Sequence, residues 1–92
     1  MYKIETTKKF NKSLELSFER GYKISDIEEV IRLLQISDIP LPEKYRDHKL
    51  KGKYSDLREC HIKPDWLLIY KKTKSTLVLL LVNTGTHSDF FK

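Results

Sequence analysis

The sequence has few of the features that mark a membrane protein, a secreted protein or a disordered chain. Its single cysteine, Cys60, excludes an internal disulfide, which fits a reducing compartment. The longest apolar run is the six residues 77–82, whereas a bilayer-spanning helix needs about 20. The opening stretch MYKIETTKKF lacks the apolar segment of a secretory signal. These absences predict a cytoplasmic protein that does not enter a membrane.

Charged residues, by contrast, are abundant, and positive charge prevails. The 92 residues are 39% hydrophobic and 34% charged, a composition typical of one globular domain, which we expect to span residues 1–92. A formal charge of +5 favours a polyanionic partner such as nucleic acid, an anionic membrane surface or an acidic protein. The stretch 44–53 alone holds five Lys or Arg and one Asp. It is either a solvated loop or part of a surface that binds such a partner.

The first 36 residues predict a short edge strand followed by two helices. Residues 2–5 have the composition of a strand, and apolar residues at helical spacing then predict helices over 7–20 and 25–35. Thr6 or Thr7 is a candidate N-cap for the first helix, and Gly21 suits the position just after its end. The Ser25-Asp26-Ile27-Glu28 sequence predicts a capping box at the start of the second. The apolar stripes are Phe10, Leu14 and Phe18 in the first helix and Ile27, Val30, Ile31 and Leu34 in the second.

The second half of the chain predicts an antiparallel meander. Strands are indicated over 56–62, 66–70 and 76–82, with turns over 63–66 and 71–75. A further turn is expected at Gly85. Because the last strand is apolar throughout, we expect it to lie centrally or to be covered on both faces. The fold class is therefore α+β: an N-terminal strand, a helical hairpin and a meander whose one face the helices cover.

All three histidines fall in this second half, and the meander brings two of them together. His61 ends the first meander strand, Asp65 lies in the following turn, and His87 follows the last strand. In an antiparallel meander these positions meet at one rim of the sheet, and His48 joins them if its loop folds back. Two histidines and a carboxylate suit general acid–base cleavage of a phosphodiester. The alternatives are a solvated His48 and a His61 that is satisfied by Glu59.

Two other chemistries are disfavoured by the same residues. Three histidines and an aspartate are competent zinc ligands, but their spacings of 13 and 26 residues match no compact metal motif, so we expect no metal. Cys60 adjoins His61, yet neighbours on a strand face opposite ways. We therefore expect Cys60 to be a buried apolar residue rather than a nucleophile.

Two blocks of the chain resemble the YafQ-type toxins of the RelE/ParE superfamily, which are bacterial components of type II toxin–antitoxin systems. The blocks are DHKLKGKYSDLRECHIKPDWLLIYK (47–71) and NTGTHSDFF (83–91), whereas residues 7–35 match only in helical pattern. The resemblance implies a RelE-like, microbial ribonuclease-like fold. It also implies cleavage of mRNA in the ribosomal A site, next to 16S ribosomal RNA, by attack of the 2′-hydroxyl and without a metal or other cofactor. The implied partner is an antitoxin similar to DinJ of the RelB class, through which alone operator DNA would be bound.

The resemblance also implies which residues act. His87 would be the general acid, while His48, His61 and Asp65 would share the roles of general base and substrate orientation in a way the sequence does not apportion. The residues that would hold the RNA are Trp66 and Phe91 by stacking and Lys49, Lys51 and Lys53 by contacting phosphates. Core packing is the alternative role for Trp66.

Asn83 departs from the family pattern. Members often carry an arginine just before the TG step, where it would face the charge that builds on the phosphate oxygens. Asparagine offers a hydrogen bond without the charge, and Arg46, Arg58 or a lysine are the candidates to compensate. The departure supports a second reading: a weak or inactive RelE-fold protein that acts as antitoxin partner and transcriptional co-repressor. A third reading is a related toxin with a target other than RNA.

Overall fold

The computed structural model describes residues 1–90. Over this range the chain forms one β-sheet and three α-helices. Two single turns of 3₁₀ helix, Glu43–Tyr45 and Gly52–Tyr54, interrupt the long connection that follows the second helix. The elements are β1 (Lys3–Thr6), α1 (Lys8–Glu19), α2 (Ile24–Ile36), β2 (His48–Lys49), β3 (Arg58–Lys63), β4 (Trp66–Thr73), β5 (Val78–Gly85) and α3 (His87–Phe90).

The five strands form one sheet in the order β1-β5-β4-β3-β2. The β2–β3, β3–β4 and β4–β5 pairs are antiparallel, whereas β1 lies parallel to β5 at the sheet edge. This confirms the α+β prediction, the edge position of the first strand and the central position of the last. The short strand β2 escaped prediction because two residues carry no periodicity. No helix within residues 1–90 has the length and apolar character needed to cross a bilayer.

The start and end of α1 follow the predicted signals, whereas the start of α2 does not. The Thr7 hydroxyl accepts a hydrogen bond from the Phe10 N–H at 2.9 Å, and Gly21 follows the helix with φ of 94°. Both features are the expected caps. The capping box predicted at Ser25 is wrong: α2 begins at Ile24 after Lys23, which makes no side-chain cap. Ser25 therefore already occupies a helical position.

The hydrophobic core lies between the two helices and one face of the sheet, as expected. Both predicted apolar stripes contribute to it, and Cys60 is fully buried within it. Burial raises the pKa of the Cys60 thiol well above its ordinary range, so Cys60 is a packing residue and not a nucleophile. The largest core side chains from the sheet are Trp66, Leu68, Tyr70, Leu79 and Leu81, and those from the helices are Phe10, Ile27, Val30 and Leu34.

An irregularity in β5 decides which residues face away from this core. Tyr70 pairs with Leu81, but Ile69 pairs with Asn83, so Val82 is an extra residue in the ladder. Such a bulge resets the alternation of side chains. Asn83 consequently lies on the face opposite the helices. The strand continues to Gly85, so the turn expected at that glycine is wrong.

Candidate active site

The face of the sheet opposite the hydrophobic core carries three polar residues in one row across the strands. His48 on β2 is opposite Glu59 on β3, Glu59 is opposite Ile69 on β4, and Ile69 is opposite Asn83 on β5. Directly opposed residues on neighbouring strands share a face. One strand step further, His61 is opposite Leu67. The two rows form the floor of the candidate site.

A cavity of about 660 Å³ opens above this floor. Glu59 and Asn83 line its base, while α1 and the connection before β3 form its walls. The wall residues include Lys9 and Lys51 and also Tyr54, half of whose surface is exposed. Because the acidic residues Glu59 and Asp89 line the same cavity, the two lysines give it no net formal charge. The cavity has the size to accept part of a nucleic acid chain.

His87 and Asp65 form the tightest polar contact at the rim of the sheet. The Nδ1 atom of His87 lies 2.6 Å from Oδ1 of Asp65, and the His87 backbone N–H donates to the same oxygen at 2.9 Å. These two hydrogen bonds hold the pKa of the Asp65 carboxyl below its usual range. A carboxylate at Nδ1 fixes the ring orientation and makes Nε2 the atom that exchanges protons with a substrate.

His61 completes this cluster. Its ring centroid is 5.5 Å from that of His87, and its Nδ1 atom is 3.3 Å from the carbonyl oxygen of Pro64. A carbonyl oxygen only accepts, so Nδ1 carries the proton and Nε2 of the neutral ring is the basic atom. The predicted meeting of His61, Asp65 and His87 at one rim of the sheet is confirmed as geometry.

His48 pairs with Glu59, which the sequence suggested only as a partner of His61. The Nε2 atom of His48 lies 3.5 Å from Oε1 of Glu59, while its Nδ1 donates to the Arg46 carbonyl oxygen at 2.8 Å. The suggested contact between Glu59 and His61 is therefore wrong. Only 7% of the Glu59 side chain is exposed. The signal available in the sequence was that Glu59 stands two residues before His61, so strand alternation puts both side chains on one face.

A second contact network holds the turn that carries His87. Asp89 receives both guanidinium nitrogens of Arg20, at 2.7 and 3.2 Å, and accepts the Thr86 N–H at 2.8 Å. The hydrogen bonds from Arg20 and then from the Thr86 backbone hold the pKa of Asp89 well below its ordinary range. A Cβ atom on Gly85 would lie 2.7 Å from Oδ2 of Asp89. Gly85 is thus needed for close approach, not for a turn.

The three lysines predicted to hold phosphates are placed differently from one another. Lys51 lines the cavity. Lys53 extends over the Tyr54 ring, with Nζ 5.2 Å from its centroid. Lys49 is opposite Arg58 on β3, so it lies on the face away from His48 and away from the cavity floor. Lys49 does not line this cavity, and its phosphate contact stays a prediction.

Asn83 lines the cavity but brings no charge to it. It is largely buried, and its Oδ1 atom accepts the Thr84 N–H at 2.9 Å, so its Nδ2 group is the donor that it can offer. Arg58 does not compensate, because its guanidinium is paired with Asp47 at 3.3 Å on the opposite face of the sheet. The lysines of the cavity and Arg46 are left as the cations available to the site.

Trp66 is fully buried and offers no face to an RNA base. Its ring stacks on Tyr22 with centroids 4.6 Å apart and planes 17° from parallel. The predicted base stacking by Trp66 is wrong, and core packing is its role. Its influence on the site is indirect, because the Tyr22 hydroxyl donates to the Asp65 carbonyl oxygen at 3.2 Å. Phe91, the other predicted stacking residue, lies outside the described residues.

Within the described part of the chain, no three His, Cys, Asp or Glu side chains come together in a group that could hold a metal ion. In each of the pairs His87–Asp65 and His48–Glu59, one ring nitrogen of the histidine contacts a carboxylate oxygen.

Comparison with known proteins places the chain in a family. Residues 2–92 match the family model described as the bacterial toxin of type II toxin–antitoxin systems, YafQ. The mRNA interferase toxin YafQ of Escherichia coli K12 is 35% identical over 88 residues, which cover 96% of this chain and 94% of that protein.

Solved structures agree over the whole length. The chain in the crystal structure of the E. coli DinJ–YafQ complex has a TM-score of 0.90 and 34% identity, with 100% of both chains covered. A metal-bound toxin from Helicobacter pylori also has a TM-score of 0.90, with 44% identity, 99% of this chain covered and 100% of that chain. The chain therefore belongs to the YafQ family of bacterial toxins of type II toxin–antitoxin systems.

Proposed function

We propose that this toxin is an endoribonuclease that cleaves mRNA in the ribosomal A site by metal-independent attack of a 2′-hydroxyl on the adjacent phosphate. The observation that supports it is the cluster of His61, Asp65 and His87 at the rim of the sheet. The E. coli relative is named an mRNA interferase, and its 35% identity over 96% of this chain supports the same activity here.

His87 acts as the general acid. Its Nδ1 atom is committed to Asp65, so the proton leaves from Nε2 toward the 5′-oxygen as the phosphorus–oxygen bond breaks. His61 acts as the general base, because its Nδ1 atom faces a carbonyl oxygen and its Nε2 atom takes the proton from the 2′-hydroxyl. A ring separation of 5.5 Å lets both imidazoles reach one phosphodiester that lies beside the pair. The products are a 2′,3′-cyclic phosphate and a 5′-hydroxyl end.

The pair of half-exposed His48 and buried Glu59 orients the ribose from the cavity floor, one row away from His61. The positive charge of Lys9 and Lys51 offsets the charge that develops on the phosphate oxygens, and Asn83 adds a hydrogen bond. Removing one such stabilising donor in an enzyme costs about 10²–10³ in rate, so the absence of an arginine at position 83 predicts a slow enzyme.

The test is cleavage of mRNA on purified ribosomes programmed with a defined message. Wild-type protein should cut within the A-site codon and leave a 5′-hydroxyl end, and His87→Ala should abolish the cut while its circular dichroism spectrum is unchanged. Intact message with the wild type would reject the proposal. Expression of the wild type should arrest growth, and His87→Ala should relieve the arrest.

We further propose a DinJ-like antitoxin as the partner of this cytoplasmic toxin, by analogy with the E. coli complex. Operator DNA is then bound through the antitoxin, because the toxin's cations serve the RNA site. Co-expression with the antitoxin should yield a stable complex that binds operator DNA, and toxin alone should leave that DNA unshifted in the same assay.

Asn83 motivates the second candidate function, a catalytically weak partner and co-repressor. Under this hypothesis the wild type binds the antitoxin tightly but does not cleave mRNA, and cleavage appears only when Asn83 is replaced by arginine. If the wild type is active and Asn83→Arg leaves its rate unchanged, the hypothesis loses its basis.

A further inference from the structure

A second cavity, of about 560 Å³, is lined by His61 but not by His87 or Asp65. Its walls come from the 3₁₀ turn before β2, from the end of β3 and from α2. The basic residues that line it are Lys44, Arg46 and Lys63, and the acidic ones are Asp26 and Glu29. His61 thus belongs both to the proposed catalytic cluster and to this cavity.

The cations of this second cavity are not equivalent. The Nζ atom of Lys63 lies 3.7 Å from Asp26, and Lys44 extends over the Tyr45 ring with Nζ 5.0 Å from its centroid. The Arg46 guanidinium makes no ion pair or side-chain hydrogen bond with any residue in 1–90. Arg46 is therefore the cation that is available to a ligand.

The backbone holds Arg46 in place beside the site. Arg46 adopts a left-handed conformation, with φ of 48°, and its N–H donates to the Glu43 carbonyl oxygen at 2.9 Å. Its own carbonyl oxygen accepts from Nδ1 of His48. The arginine is thereby tied to one histidine of the site through its backbone and shares a cavity with another, His61.

We propose that Arg46 and His61 form a subsite for an RNA backbone phosphate next to the scissile one. The inference rests on the proposed function and extends it, because it gives the RNA a path from the first cavity, across His61 and His87, into the second. The two acids of the second cavity, Asp26 and Glu29, both lie on α2 and repel a phosphate. The phosphate therefore binds on the side of the cavity that Arg46 lines. Guanidinium groups bind phosphate through two parallel N–H donors, which suits this task. Arg46 in this way supplies a phosphate contact that Asn83 cannot.

The test measures binding of a short RNA that carries 2′-O-methyl groups and so cannot be cleaved, by NMR titration of the wild type and of Arg46→Gln at several salt concentrations. One phosphate contact on single-stranded nucleic acid contributes about 0.7 to the slope of log K against log salt. Arg46→Gln should weaken binding several-fold and reduce the slope by about 0.7. Arg46→Lys should keep most of the slope. Arg32→Gln, which removes the same charge from the exposed surface of α2, is the matched control and should behave as wild type.

The results separate the subsite from the catalytic proposal. Equal affinity and equal slope for Arg46→Gln and the wild type would overturn the subsite, as would the absence of any RNA-induced shift in the wild type. A slope that depends on Arg46 without cleavage on ribosomes would support the subsite and reject the nuclease. Cleavage with a KM that Arg46→Gln leaves unchanged would support the nuclease and reject the subsite.

Discussion

Asp65 holds His87 through two hydrogen bonds to a single oxygen: Oδ1 accepts from the backbone N–H at 2.9 Å and from Nδ1 of the ring at 2.6 Å. The first bond fixes where the residue starts α3, and the second fixes how its ring is turned. One carboxylate therefore determines both the position and the tautomer of the proposed general acid. Asp65 itself is 61% exposed in its side chain, so it serves this geometry rather than the core.

Replacing Asp65 by asparagine should damage catalysis without damaging the fold. The amide has nearly the same shape, but it is neutral, so its oxygen accepts the two hydrogen bonds from His87 more weakly than the carboxylate does. The His87 ring is therefore held less firmly. We expect ribosomal cleavage to fall by about 10²–10⁴, the usual contribution of a positioned general acid or base. Asp56→Asn is the matched control, because Asp56 has the same side-chain exposure of 61% and, among residues 1–90, its side chain pairs with Lys71 alone. An Asp65→Asn protein that cleaves at the wild-type rate would exclude the role given to Asp65.

The Asp89 network should make stability depend on pH in a defined direction. Arg20 and the Thr86 N–H lower the pKa of Asp89 in the folded protein relative to about 3.9 in the unfolded chain. The contribution is therefore fully present above that unfolded value and is lost as pH falls through the folded one. Asp89→Asn should lower the free energy of unfolding by about 1 kcal/mol at pH 7. Urea denaturation should show this difference shrinking below about pH 4; a difference that is constant with pH would contradict the prediction.

Gly85 and Asp89 should act as one unit. A methyl group at Gly85 would displace the Asp89 carboxylate from Arg20 and Thr86, since the added Cβ would lie 2.7 Å from Oδ2. We expect Gly85→Ala to lower cleavage by loosening the turn that carries His87. In an Asp89→Ala background the same substitution should cost little more, because the carboxylate it displaces is gone. Additive losses in this double-mutant cycle would show that Gly85 matters for another reason.

The pH–rate profile should show whether His61 or Glu59 is the general base. An acid and a base that act together give a bell-shaped kcat/KM profile. His61→Asn should remove the acidic limb of that profile together with most of the rate. Glu59→Gln, which keeps the shape of a side chain on the cavity floor, should lower the rate while the limb persists. If Glu59→Gln removes the limb and His61→Asn keeps it, Glu59 is the base.

Much of the fold was predictable because its signals are local. Apolar residues at helical spacing predicted α1 and α2, and alternation with turn residues predicted β3 and β4. The bulge at Val82 and the two-residue strand β2 were not predictable, because both depend on pairing with a strand far along the chain. The same limit explains the missed end of β5 at Gly85.

The site divides in the same way. Antiparallel topology alone brings His61 and His87 to one rim, so their meeting could be inferred from the order of strands. Arg20 and Asp89 are 69 residues apart, and only the packing of α1 against the sheet brings them together. The sequence shows Glu59 on the same strand face as His61, but its pairing with His48 required the register of β2.

Trp66 provides a final prediction that separates packing from RNA binding. It is fully buried and stacked on Tyr22, so Trp66→Ala should reduce the free energy of unfolding by about 3–5 kcal/mol. Within residues 1–90, its Nε1 is the one buried side-chain polar atom without a hydrogen-bond partner, so Trp66→Phe loses an unsatisfied donor and should cost much less. Cleavage by Trp66→Phe, normalised to folded protein, should equal that of the wild type, because Tyr22 still packs on a ring and still holds the Asp65 backbone. A Trp66→Ala protein that unfolds at the wild-type urea concentration yet binds uncleavable RNA more weakly would show instead that the indole contacts the substrate.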